Sequence, residues 1–361
     1  MSLQLPQSLT KKSLTRQTLI QMALRIGIVI VSSTAISYFH LVSSLTSESL
    51  DRLAKYITER GERERAVFTL AIDNHKTLKQ AYLKELQKMG DRDPKEELDQ
   101  LFVKWSDGVT RKRVEDENPK NCATTEAAGV FIGPQANINA DIRRRVLAAY
   151  KLTNAYGPAW YNRFVDTYIN SPENIVVNYW PGVPWGPDAK ADVDIRKEEF
   201  FYVSDKQHNP KRQPAWTGLY LDPVAKLWMV SLETPVDDAS GRHVGTIGHD
   251  IVLNELMDRT LKQNVAGTYS MIFRGDGRLI AHPQRMEDIQ KQAGSFDILQ
   301  SQDPHLQTIY NLVKQRKPNQ VVLDNAKYDE YLAVARIDEP DWYLVTVLPK
   351  AIVTKPAFDT A

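Results

Sequence analysis

Ile26-Gly27-Ile28-Val29-Ile30-Val31-Ser32-Ser33-Thr34-Ala35-Ile36-Ser37-Tyr38-Phe39, extended by Leu41-Val42-Ser43-Ser44-Leu45, is the stretch on which the architecture turns. From Ile26 to Ser47 there is no Asp, Glu, Lys or Arg, and the chain has no second run like it. About 20 helical residues cover the ~30 Å hydrocarbon core of a bilayer. Lys11, Lys12, Arg16 and Arg25 all precede the run, so the positive-inside rule keeps the N-terminus in the cytoplasm and sends everything after Ser47 across the membrane. A cleaved secretory signal has the same charged start and apolar middle. Against it, the uncharged run exceeds a signal core and no small-x-small cleavage site follows. A buried core helix is the other alternative, but no other part of the sequence matches so one-sided a segment.

The ~310 residues beyond the anchor can bury a substantial core, as one elongated domain or two subdomains. The formal charge of +1, with basic residues scattered, excludes nucleic acid as the expected partner. Cys122 is the only cysteine. It rules out an internal disulfide and leaves the compartment undecided. No Walker loop, HExxH, GxSxG or CxxC occurs.

From Glu48 to Met89, Leu53, Ile57, Val67, Leu70, Leu78 and Leu86 recur among charged residues, which reads as one long helical stalk after the span. Helix is expected again over 94–105, and the charged stretch 111–125 reads as a loop. A mixed region follows, with a strand at 130–132, a helix over 141–169 and a strand at 175–180. The proline-punctuated 180–187 cannot be a central strand. Strands at 227–236 and 243–251 flank Asp237-Asp238-Ala239-Ser240-Gly241 as an antiparallel hairpin. After a helix at about 252–263, strands at 269–274 and 278–282 join through Gly275-Asp276-Gly277. Helices near 283–293 and 304–314 and strands at 320–324, 330–335 and 342–347 close a second, smaller unit.

In order, Glu199-Phe-Phe-Tyr-Val203, His208-Asn-Pro-Lys-Arg212, Trp216-Thr-Gly-Leu-Tyr-Leu-Asp222, Trp228-Met-Val-Ser-Leu-Glu-Thr-Pro235, Gly245-Thr-Ile-Gly-His-Asp-Ile251 and Phe273-Arg-Gly-Asp-Gly-Arg-Leu-Ile-Ala-His282 resemble the double Cache sensor domains of bacterial transmembrane receptors, most of all those of sensor histidine kinases. The resemblance covers about 46–361. It implies an α/β (α+β) fold with an N-terminal transmembrane helix, a long stalk helix and two tandem PAS-like antiparallel-sheet modules. The expected division is 1–25 cytoplasmic N-terminus and start of the anchor, 26–47 transmembrane helix, 48–125 stalk and charged loop, 126–264 membrane-distal module, 265–350 membrane-proximal module and 351–361 juxtamembrane end.

The distal region concentrates aromatics and carboxylates, which together suit a small ligand and particularly a cation. The candidate ligand residues are Trp180, Glu198, Phe200, Phe201, Trp216, Tyr220, Asp222 and Asp250. Each has a plainer role available: the aromatics as core, Asp222 before Pro223 as a turn opener, Asp250 at a strand-to-helix junction as a cap. Amino-acid-binding members of the resembled family surround their ligand with an Arg, a Trp-Tyr pair, a Tyr-x-Asp and a strand-end Asp. Tyr220-Leu221-Asp222 and Asp250 match, Phe200-Phe201 replace Trp-Tyr, and Glu198 stands at the Arg position. A glutamate cannot receive a carboxylate without protonation. A cationic amine or a neutral molecule is therefore favoured over a free amino acid, with Arg196 and Lys197 as the neighbouring cations that could replace the lost guanidinium.

No cofactor and no metal are expected. His243 and His249 lie about 20 Å apart along an extended strand, beyond joint ligation. Glu198, Asp222 and Asp250 lack an accompanying nucleophile or orienting triad. The reading is thus a small-molecule sensing region of a receptor in the bacterial inner membrane, periplasmic beyond its single span and expected to dimerise. The chain reaches Ala361 without a second span or output domain, so the resemblance implies part of a longer receptor, a histidine kinase first. The alternatives are an anchored solute-binding protein and, behind it, a membrane-tethered enzyme.

Overall fold

The computed structural model describes residues 14–123, 125–255 and 267–353. One helix, α1 (Leu14–Met89), runs unbroken for 76 residues, about 114 Å at 1.5 Å per residue. Its two halves behave differently. Leu19, Ile20, Leu24, Ile28, Val31, Ile36 and Phe39 are all more than half exposed. So large an apolar surface on one helix needs a non-aqueous partner, and the segment is long and apolar enough to cross a membrane. Further on, Leu53, Ile57, Arg60, Glu64, Phe68, Ala71, His75, Leu78 and Tyr82 are buried at steps of three and four residues, one continuous stripe of a 3.6-residue period.

That stripe packs against two antiparallel sheets. The first joins β1 (Phe102–Lys104), β2 (Thr110–Lys112), β3 (Gly129–Ile132), β4 (Thr167–Ser171), β5 (Ile175–Tyr179), β6 (Ala215–Trp216), β7 (Tyr220–Leu221), β8 (Trp228–Asp237) and β9 (His243–Val252). Their order is β1-β2-β3-β5-β4-β9-β8-β6, with β7 also on β8. The second joins β10 (Tyr269–Arg274), β11 (Leu279–Ala281), β12 (Val322–Asn325), β13 (Glu330–Ile337) and β14 (Trp342–Pro349) in the order β11-β10-β14-β13-β12. The remaining helices are α2 (Lys95–Leu101), α3 (Ala140–Trp160), α4 (Trp185–Asp188), α5 (Glu199–Tyr202), α6 (Met286–Lys291) and α7 (Pro304–Gln315). Leu53, Ile57 and Phe68 enter the core of the five-stranded module, whereas Leu78 and Tyr82 enter that of the nine-stranded one. The smaller module is therefore the one nearer the apolar span. Tandem antiparallel modules beside one long helix are the expected fold class.

Four expectations need correction. The helix read over 141–169 stops at Trp160, and Thr167–Ser171 is β4, a central strand buried on both faces. A strand covered on both sides has no apolar–polar alternation, so nothing in its pattern separates it from the preceding helix. The helix expected over 94–105 ends at Leu101, and the charged 111–125 begins in β2, a strand paired between β1 and β3, where Arg111 is buried and paired with Asp107 at 2.8 Å. Asp250 lies inside β9, not at its end. The helix expected at 252–263 falls mostly outside the described residues.

The stalk lies close on the proximal sheet at one point. A Cβ on Gly61 would stand 2.5 Å from the Ala335 Cβ of β13, so only glycine permits this approach. Gly61→Ala should lower stability by about 1–3 kcal/mol through overpacking, and Gly61→Ala with Ala335→Gly should recover most of the loss. Paired thermal melts check this, and no recovery in the double variant would refute the contact.

Candidate functional site

The pleat of the distal sheet gathers the polar residues onto one face. Tyr168 and Asn170 on β4 and Val176 and Asn178 on β5 stand two apart, and Asp250 on β9 is opposite Ser231 on β8. Over them lie Trp185 of α4, Phe200 of α5, Tyr220 of β7 and Asp222. These residues enclose a cavity of about 10 Å³, space for one water molecule.

The wall is acidic. Asp166, Asp222, Glu233 and Asp250 are each at most 3 % exposed. No Lys or Arg among the described residues forms an ion pair with any of them. Asp250 Oδ1 accepts hydrogen bonds from Ser231 Oγ (2.6 Å) and Tyr168 Oη (3.0 Å), and the Tyr168 hydroxyl also reaches Glu233. Tyr220 Oη and Ser231 Oγ are 2.6 Å apart. Asp166 accepts from the Asp250 backbone N–H and from Asn178 Nδ2, both at 3.1 Å. Asp222 accepts from Trp185 Nε1 (3.0 Å) and from the Val224 N–H (2.8 Å). Neutral donors thus hold groups that water would ionise.

Tyr168 reaches both carboxyls only because of Gly248. Tyr168 pairs with Gly248 across β4–β9, and Gly248 pairs with Glu233 across β9–β8. A Cβ on Gly248 would overlap the Tyr168 ring. The missing side chain is the slot through which the phenol crosses β9.

Burial pushes these carboxyls toward their neutral forms. Asp250 rises to about 7, chiefly by desolvation and further by Asp222, against the Ser231 and Tyr168 hydrogen bonds. Asp166 is raised well above the ordinary range by desolvation and by Asp250, and Glu233 chiefly by desolvation. Asp222 is raised by desolvation, partly offset by Trp185 and two backbone N–H groups, and Glu198 by desolvation and Asp222. Between the unfolded carboxylate value and the folded one, the folded chain binds more protons, so stability falls as pH rises. His75, His243, His249 and His282 are depressed by burial and act oppositely, but only below about 6.5. The melting temperature should therefore drop from pH 6.5 to 8.5, and by less in Asp250→Asn. Equal drops in the two proteins would count against this acid cluster.

Of the sequence candidates, Phe200, Tyr220, Asp222 and Asp250 meet at the cavity. Trp180 is buried in the same aromatic cluster but does not line it. Glu198 is the residue preceding α5, and Phe201 stacks on His243 at 5.8 Å. Trp216 lies at the junction of the modules, 4.8 Å from the Phe68 ring and 6.2 Å from Trp342. Tyr168, Asn170, Asn178, Trp185, Asp166 and Glu233 were outside the candidate set. Arg196 and Lys197 are exposed and turn to Asp194, at 2.6 and 4.0 Å, so neither supplies a cation to the cavity.

On the opposite face of β8 and β9 the sheet meets α1. His75 Nδ1 lies 2.8 Å from Thr234 Oγ1, and the His75 and His249 rings are 4.8 Å apart. His249 Nδ1 lies 2.8 Å from the Asp166 carbonyl oxygen, which casts Nδ1 as the donor and leaves Nε2 to face Asn74 Nδ2 at 3.5 Å as an acceptor. The 249–250 pair thus touches the acid cluster on one side, through Asp250, and the stalk on the other, through His249.

No family model matches the chain, and neither does any curated protein. Among solved structures, the chain is similar to the ligand-binding domain of Mlp24 with asparagine, at 17 % identity and TM-score 0.45, over 89 % of this chain and 99 % of that one. It is also similar to the ligand-binding domain of the Pseudomonas aeruginosa PAO1 amino acid chemoreceptor PctC in complex with GABA, at 12 % identity and TM-score 0.44, over 83 % and 99 %.

Proposed function

We propose that the region beyond the apolar span is the extracytoplasmic small-molecule sensor of a transmembrane signalling receptor of the double Cache kind, and that its distal cavity takes a cationic amine. One observation carries the ligand class. Asn170 Oδ1 and Asn178 Oδ1, both on cavity residues, and the adjacent Glu233 Oε2 are buried acceptors without a donor. An unmet buried acceptor costs about 1–3 kcal/mol, and the carboxyls beside these need positive charge to ionise. An ammonium group offers several N–H donors and that charge at once. A free carboxylate finds no Arg or Lys at the cavity.

The sensing role rests on α1. The same helix that carries the apolar segment continues along both modules, so a shift of the distal sheet against His75 and Asn74 is a shift of the helix that enters the membrane. A ligand drives such a change only by its difference in affinity between the two arrangements.

A thermal-shift screen of the full chain in detergent, against amines, amino acids, organic acids and nucleobases, tests the reading. Amines should stabilise by mass action, and Asp222→Ala should abolish the shift. Stabilisation by carboxylic acids that lack an amine would sink the cationic pocket.

A further inference from the structure

Every residue that lines the cavity is buried, and two of them, Phe200 and Tyr220, stand beside residues tied to the second module. α5 is a single turn, held by the Phe201 and Tyr202 N–H groups donating to the Glu198 carbonyl, both at 3.0 Å. Its far end is pinned to β9, Ser204 Oγ lying 2.7 Å from Thr246 Oγ1. Its near end is pinned across the module boundary: Glu199 Oε1 accepts from the Gly218 N–H at 2.8 Å and from Arg278 Nη1 at 3.1 Å. Arg278 immediately precedes β11 of the proximal sheet.

Two glycines make room for this junction. A Cβ on Gly218 would collide with the Arg278 guanidinium, and one on Gly294 with the Leu219 carbonyl. Gly294 has a φ of +77°, a left-handed conformation natural to glycine. Gly218 and Leu219 lead directly into Tyr220. Both Phe200 and Tyr220 therefore line the cavity and stand next to residues held by the other module.

We infer that α5 is a gate over the distal cavity and that the Glu199–Arg278 pair is its latch to the proximal module, an inference that rests on the sensing reading above. A guest larger than one water enters only by displacing Phe200 or Trp185. Displacing Phe200 pulls Glu199 from Arg278 and Gly218, so filling the cavity alters the contact between the modules. The latch is partly exposed (Arg278 and Glu199 side chains 31 % and 17 % accessible), so water screens it in part and its contribution stays modest.

Hydrogen–deuterium exchange of the full chain in nanodiscs, read on the amides of residues 201–204, tests the latch without any ligand. In both Arg278→Met and Glu199→Gln these amides should exchange about fivefold to tenfold faster, while β9 and β13 keep their protection. Unchanged exchange at 201–204 in both variants overturns the gate, and so does loss of protection across the whole distal sheet. Methylammonium chloride, against potassium chloride at equal ionic strength, probes the underlying reading separately. In Arg278→Met it should bind about threefold to tenfold tighter, because the open form is better populated. Accelerated exchange with no amine binding in any variant would sustain the gate and remove the cationic pocket.

Discussion

Asp250→Asn should weaken binding of a cationic amine by about 10- to 100-fold at pH 8 while leaving the unliganded protein at least as stable as the wild type. The opposite signs come from one cause. Asp250 is buried without a cation, so in the empty protein its ionised form is a cost, and a neutral amide of the same shape removes that cost. In the complex the same carboxylate is the counter-ion, and a hydrogen bond to a charged group contributes about 1.5–3 kcal/mol, which sets the fold-change.

The linkage fixes the pH dependence. Asp250 titrates at about 7 in the empty site and must be ionised to pair with ammonium. Binding therefore releases a proton at lower pH, and affinity should rise about tenfold per pH unit up to 7 before levelling. Asp166, raised beside it, extends the rise if it also ionises. Calorimetry at pH 5.5, 7 and 8.5, in buffers of differing ionisation enthalpy, measures both effects. A flat wild-type profile, or equal affinity in wild type and Asp250→Asn, would show that this carboxyl is not the counter-ion.

How much of this the sequence made legible follows from what pattern can carry. The stalk was readable because Leu53, Ile57 and Leu78 recur among charges at helical spacing. The β8–β9 and β10–β11 hairpins were readable because Ser240-Gly241 and Gly275-Asp276-Gly277 punctuate apolar runs. β4 was not. Thr167–Ser171 is buried throughout, so it lacks alternation, and it follows a strong helix without a sharp break in composition. Missing β4 hid Tyr168, Asn170 and the preceding Asp166, a third of the polar wall.

Glu233 left a usable signal. It sits between Leu232 and Thr234 in an apolar strand, at the parity of Ser231, which pairs with Asp250. Trp216 shows the reverse difficulty. An aromatic beside a Tyr-x-Asp is equally at home in a ligand wall or a module junction, and only the second sheet, whose Trp342 meets Trp216 and Phe68, separates the two. Glu198, read from the sequence as standing where the resembled receptors carry an arginine, was chemically informative, and among the described residues no Lys or Arg lines the cavity.

Gly248→Ala is expected to be among the most destabilising single substitutions in the distal module, about 3–5 kcal/mol, although it adds one methyl group. The added carbon overlaps the Tyr168 ring. That ring sits in a central strand between β5 and β9, so it cannot swing aside without moving β4. Overpacking at so rigid a place costs about 1–3 kcal/mol. If the ring is expelled instead, the Tyr168 hydroxyl leaves Glu233 and Asp250; Asp250 keeps Ser231, whereas Glu233 loses its donor, which adds about 1–3 kcal/mol. Tyr168→Phe separates these contributions, because it removes the hydroxyl and keeps the ring. It should cost about 2–3 kcal/mol, with the loss growing toward high pH as Glu233 is driven to ionise without its donor and Asp250 with Ser231 but not Tyr168. In the Tyr168→Phe background, Gly248→Ala should still cost its overpacking share. In a Tyr168→Ala background, where the slot is empty, it should cost almost nothing. Thermal melts of this cycle at pH 6.5 and 8.5 read the coupling directly. Equal costs of Gly248→Ala in the wild-type and Tyr168→Ala proteins would mean that the phenol does not cross β9 through this gap, and the polar wall built on it would have to be redrawn.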